Sequence, residues 1–266
     1  MRRLAAFIAI AAFVAACSTV PTTSPESTAI DVRLTVYAAA SLKGALAAVK
    51  SAYETAVPGV TLTIATDASS TLRTQIEQGA PADVFLSADQ KNPSALVDAG
   101  LADGTAVDFA GNTLVVIVPT ANPAGLTTPA DLARPGIKII AAGAGVPITR
   151  YATQAIVNLA RQPGYPAGFA ASYAANVVSK EENVTAVVAK VQLDEGDAAI
   201  VYVTDAKASA KVRSIEIPAA ANVPATYAGI VVKASVRAAA GHAFLTWLAG
   251  PDGQTVLARF GFLPPS

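Results

Sequence analysis

Leu34-Thr35-Val36-Tyr37-Ala38-Ala39-Ala40-Ser41-Leu42 opens the folded part of the chain and sets its architecture. Residues 34–37 favour an extended strand, and Ala38 to Ser41 make a small-residue turn. Leu42, Leu46, Val49 and Tyr53 then follow at helical spacing. Ser41 stands in the capping position of that helix. The same passage into a helix recurs at Ala68-Ser69-Ser70-Thr71-Leu72, after an extended run from Val60 to Ile64, and at Glu182-Asn183-Val184-Thr185. The first turn of a helix carries N–H groups with no partner inside the helix, and the peptide dipoles add partial positive charge there. Several such ends directed at one point would hold an anion without any Lys or Arg.

Working outward, extended and helical runs alternate for most of the length. Strands are expected at Asp83 to Ser87, Asn112 to Val118, Ile137 to Ala141, Ala198 to Val203 and Tyr227 to Val232. Helices are expected around Pro93 to Ala99, after Thr128-Pro129, from Pro147 to about Ala160, from Val184 until Gly196, and over 235–248 and 251–260. This alternation predicts an α/β fold with helices on the faces of a parallel or mixed sheet. The Asn112 to Val118 run has no side chain more polar than Asn or Thr and reads as buried on both faces.

The N-terminus has the form of an export signal: Arg2-Arg3, an apolar stretch from Leu4 to Ala16, then Cys17. Cys17 is the only Cys in the chain, so neither an intramolecular disulfide nor a Cys-based metal site is available. Residues 18–31, rich in Ser and Thr with Pro21 and Pro25, read as a flexible tether. Of the 266 residues, 19 are basic and 19 acidic; without Arg2 and Arg3 the balance is 17 to 19. That balance gives no argument for nucleic acid or an acidic membrane surface, so any bound anion must be attracted by local dipoles and hydrogen bonds. No paired-carboxylate motif, phosphate loop or metal-ligand cluster is present. The only His, His242, lies in an Ala-rich run far in sequence from Ser41 and Ser69, which argues against a Ser–His relay and against an enzyme.

Taken in order, several segments resemble the molybdate-binding component of bacterial ABC importers. They are 36–42, 69–79, Ala80-Pro81-Ala82-Asp83-Val84-Phe85-Leu86-Ser87-Ala88-Asp89, Val146-Pro147, Tyr151-Ala152, Glu182-Asn183-Val184, 200–206 and Phe260-Gly261-Phe262. The likeness spans about residues 33–263. Val14-Ala15-Ala16-Cys17 resembles the lipobox of bacterial lipoproteins, which implies a signal peptide over 1–17 and a lipid anchor on Cys17.

The resemblance implies a two-lobed periplasmic binding protein fold of type II, with the ligand in the cleft between lobes. One lobe would hold 32–111 plus 222–266 and the other 112–221, with hinge crossings near Gly111 and Pro218 to Pro224. Carried onto this chain, the ligand would be held by Ser41 and Ser69 through hydroxyl and backbone N–H, by Ile148 and Val184 through backbone N–H, and by Tyr202 through its phenol. The implied protein is an exported, lipid-anchored monomer that captures molybdate, and tungstate too, for a membrane permease, with no cofactor and no directly coordinated metal. The family often has a small residue and then Gly after Val-Pro. Ile148-Thr149 stand here instead, so Ile148 would narrow the pocket and Thr149 could add a hydroxyl donor. The alternative is a receptor for another small oxyanion or a small organic acid, for which Arg73 or Arg150 would supply a carboxylate clamp.

Overall fold

The computed structural model describes residues 31–265. The expected signal over 1–17, its Cys17 and the tether up to residue 30 lie outside the described residues.

In chain order the first elements are β1 (Val32–Ala39), a 3-10 turn (Ala40–Leu42), α1 (Lys43–Ala56), β2 (Val60–Asp67), α2 (Ser69–Glu77), β3 (Val84–Ser87), α3 (Lys91–Asp98) and β4 (Ala102–Asn112). There follow β5 (Leu114–Pro119), a second 3-10 turn (Pro129–Ala133), β6 (Ile139–Ala142), α4 (Pro147–Leu159), α5 (Phe169–Ala175), β7 (Val177–Glu181) and α6 (Val184–Gln192). The chain closes with β8 (Ala199–Tyr202), α7 (Val203–Lys207), β9 (Val212–Glu216), β10 (Ala225–Val232), α8 (Ala238–Ala249) and α9 (Pro251–Arg259).

The strands fall into two groups. β1 pairs in parallel with β2 and β3, and β10 joins antiparallel between β3 and β4, giving the order β2-β1-β3-β10-β4. Alternation along β1 buries Leu34, Val36 and Ala38 completely, while α1 turns Ala45, Leu46, Val49 and Tyr53 inward at helical spacing. Tyr53 meets Phe244 of α8 edge-on at 4.9 Å. A Cβ on Gly229 would come within 2.9 Å of the Leu245 and Leu86 side chains, so glycine there allows α8 to lie close on the sheet.

The second group has a three-stranded antiparallel sheet, β8-β5-β9, and a parallel pair, β6-β7, bridged to it at Ile139 and Ala198. Every residue of β5 is buried. The chain passes between groups at Asn112 to Leu114 and again between β9 and β10. The two passages are tied side by side: Asn222 Oδ1 accepts the Leu114 N–H (2.9 Å) and its Nδ2 donates to the Leu114 carbonyl (2.8 Å).

Several local expectations change. The strand expected from Asn112 is two strands broken at Thr113. β4 was not anticipated because its Gly and Asp residues leave it half-exposed, and it forms by pairing with β10. Edge strands β7 and β9 were missed because Ser, Lys, Arg and Glu leave them short of an apolar pattern, and α5 because it is short and rich in Ala. Val203 does not end a strand but begins α7, whose Asp205 accepts the Tyr202 N–H at 3.3 Å. Ser41 is not a helix cap. It lies inside the 3-10 turn, and its hydroxyl is engaged elsewhere.

Candidate binding site

Four helical starts meet between the two strand groups. From the first group come the 3-10 turn at Ala40, leading to α1, and the start of α2 at Ser69. The second group supplies α4 at Pro147 and α6 at Val184. They wall a cavity of about 10 Å³, room for about one water-sized sphere. Ser41, Ser69, Ile148, Val184 and Tyr202 all line it. Each is buried: Ser69 and Tyr202 are 1% exposed, Ile148 2%, Val184 3% and Ser41 5%. No charged side chain among the described residues lines it. Ser69 and Val184 are the first residues of their helices and Ile148 the second, so their N–H groups lie in the turn that has no internal acceptor.

The hydroxyls are set up as donors. Ser69 Oγ accepts the Ala88 N–H at 3.0 Å, and an amide nitrogen can only donate. Ser41 Oγ accepts from the Tyr227 hydroxyl at 2.9 Å. Tyr202 Oη is fully buried and has no hydrogen-bond partner among the described residues. Burial keeps its phenol well above the ordinary range, so it stays a neutral donor. A buried unpaired hydroxyl is costly, and one that lines a cavity points to a missing acceptor.

Asn183, Thr185 and Asp89 around this wall are each engaged by neighbours. Asn183 caps α6 by accepting the Ala186 N–H at 3.0 Å, and its Nδ2 reaches Asp67 Oδ1 at 3.2 Å. Thr185 Oγ1 donates to the Ala40 carbonyl at 3.3 Å. Asp89 is buried and accepts from Ser87 Oγ and from both nitrogens of Asn92. Arg150 stands 3.9 Å from Asp89 and over the Tyr151 ring, while Arg73 faces Glu77 at 3.5 Å; neither lines the cavity. Asp205 lies behind the Tyr202 backbone, and burial pushes its carboxyl up to about 8.

Thr149 corrects the sequence reading. Its hydroxyl donates to the Ala142 and Gly143 carbonyls at 3.1 and 2.7 Å, so it is spent on the turn before α4 and adds no donor to the cavity. His242 is on α8, 3.1 Å from Asp103, and outside the cavity wall. Sequence reasoning missed Tyr227, Asn112 and the Ala88 amide. The only trace of Tyr227 was its place at the start of an extended run, which says nothing about its hydroxyl.

Residues 34–263 match the family model described as bacterial extracellular solute-binding protein. The chain belongs to that family. This solute-binding protein is 35% identical over 258 residues to the molybdate-binding protein ModA of Mycobacterium tuberculosis, covering 96% of this chain and 94% of the relative. Its fold is similar to the periplasmic molybdate-binding protein of Azotobacter vinelandii, with a TM-score of 0.74 at 23% identity, covering 88% of this chain and 100% of that one. It is also similar to the sulfate-binding protein SubI of Mycobacterium tuberculosis, with a TM-score of 0.77 at 21% identity, covering 88% and 87%. The fold is thus the two-lobed α/β fold of periplasmic binding proteins. The named role of all three relatives is binding, not catalysis. Because that one fold is shared by a molybdate and a sulfate receptor, the ligand must be argued from the cavity wall.

Proposed function

We propose that this solute-binding protein captures molybdate, and tungstate with it, outside the cytoplasm and delivers it to the permease of an ABC importer. The observation that carries the reading is the Tyr202 hydroxyl, buried without a partner on a wall whose other polar groups are neutral donors. A tetrahedral dianion supplies acceptors on every side, and donors from four helical starts meet it without a buried counter-charge. Ser41 and Ser69 give hydroxyl and amide hydrogens, Ile148 and Val184 amide hydrogens, and Tyr202 its phenol. The ModA relative, similar over nearly the whole chain, supports molybdate over sulfate. An organic acid is disfavoured, since Arg73 and Arg150, the cations that could clamp a carboxylate, are turned to other partners.

In this reading residues 32–111 plus 222–266 form one lobe and 112–221 the other. The lobes hinge at the paired passages held by Asn222 and close on the ligand. The lipobox-like Val14-Ala15-Ala16-Cys17 supports lipid attachment at Cys17, with residues 18–31 as the tether and the binding body a monomer. Titration calorimetry with molybdate, tungstate, sulfate and phosphate tests the ligand. Tight one-to-one heat with the first two alone is expected, and preference for sulfate or phosphate would overturn the reading.

A further inference from the structure

We propose that Tyr227 is a positioning residue that fixes the direction of the Ser41 hydroxyl, so that Ser41 turns its hydrogen to the ligand and meets a protonated oxyanion with an oxygen already engaged. This inference rests on the oxyanion reading above and extends it to a specificity mechanism.

The direction follows from a chain of donors with a fixed beginning. The Thr113 N–H donates to Asn112 Oδ1 at 2.9 Å, which settles which end of the Asn112 amide is oxygen. Asn112 Nδ2 therefore faces Thr204 Oγ1 at 2.8 Å and Tyr227 Oη at 3.3 Å, and donates to both. With its oxygen receiving that hydrogen, Tyr227 spends its own on Ser41 Oγ at 2.9 Å. Ser41 Oγ then holds a received hydrogen, and its own proton is left for the ligand.

All the side chains in this relay are buried, so water does not scramble it. The Tyr227 phenol is held well above its ordinary range by burial and by the neighbouring Asp205, and it remains a donor. The relay also begins where the chain passes between the strand groups, at Asn112 and Thr113, and touches Thr204 just beyond Tyr202. Ser69 reaches the same polarity by a different route, its oxygen filled by the Ala88 amide. A ligand that carries a hydrogen would meet serine oxygens already engaged by Tyr227 and Ala88, which disfavours it against a fully ionised oxyanion.

The test measures molybdate affinity, and hydrogen arsenate affinity by competition, on the full chain purified in detergent, for the wild type, Tyr227→Phe, Ser41→Ala and the double variant. In Tyr227→Phe the Ser41 oxygen loses its donor, its hydroxyl is free to turn, and it accepts more readily from a protonated ligand. Molybdate should weaken roughly tenfold and the molybdate-to-arsenate ratio should shrink. In the Ser41→Ala background, the Tyr227 change should leave the ratio where it is. A purely structural role would lower both affinities in proportion. An unchanged ratio, or the same shift with Ser41 absent, overturns the proposal. Should Tyr227→Phe fold poorly, Asn112→Ala removes the start of the relay and should move the ratio in the same direction; no movement there counts equally against it. A wild type that binds neither molybdate nor tungstate overturns the receptor reading itself, and the relay with it. Binding with an unmoved ratio overturns the relay alone.

Discussion

Ser69 Oγ receives the Ala88 N–H at 3.0 Å, and the two residues come from different elements, Ser69 opening α2 and Ala88 following β3. The serine is thus held by the strand beside it and presents a hydrogen to the cavity. Replacing Ser69 with Ala removes a ligand donor and strands a buried amide at once. Calorimetry should show oxyanion affinity down by tenfold or more, with stability lower by about 1 kcal/mol in denaturant unfolding. Undiminished affinity would remove Ser69 from the site.

Tyr202→Phe should separate binding from stability. The hydroxyl has no partner among the described residues, so removing it costs the ligand-free protein nothing and can raise its melting temperature. Affinity should nevertheless fall roughly tenfold. Melts with and without molybdate measure both effects, and a destabilised ligand-free variant would mean that the phenol already has a structural partner.

Arg150→Ala discriminates the neutral-donor wall from a charged clamp. The Arg150 side chain is 55% exposed and 3.9 Å from Asp89, which retains hydrogen bonds from Ser87 and Asn92. A pair of this kind contributes little, so oxyanion affinity should change by less than about threefold. A loss of a hundredfold would place the guanidinium on the ligand.

Asp205 introduces a pH dependence of stability. Its folded carboxyl is raised to about 8 by burial, whereas in an unfolded chain it titrates near its ordinary value of about 4. Between those values the folded form keeps a proton that the unfolded form has released. The stability it contributes is therefore full below about pH 4 and is lost as the pH rises to about 8. Asp205→Asn keeps an acceptor for the Tyr202 N–H without that titration. Its melting temperature, compared with the wild type, should gain more at pH 8 than at pH 4, and a parallel pair of curves would refute the assignment.

The fold was largely legible because its signals are local. The passage from Val36 to Leu42, the Thr128-Pro129 start and Pro147 at the head of α4 follow from turn chemistry and helical spacing. β4, β7 and β9 left little trace, since their polar and small residues become strands through partners distant in the chain. The five site residues were reached by resemblance, and the same local rules explain why three of them, Ser69, Ile148 and Val184, lie in the first turn of a helix. Thr149 was misjudged because a hydroxyl next to the site is indistinguishable in sequence from one turned onto a carbonyl.

Sequence alone could specify which backbone amides would lack an acceptor, because that depends only on where each helix starts. It could not specify which way the hydroxyl hydrogens point. That direction depends on which donor occupies the oxygen of each serine. For Ser41 the donor is Tyr227, 186 residues away, and for Ser69 it is the backbone of Ala88. Hydrogen-bond polarity is a property of neighbours in space, and folding is what assembles them.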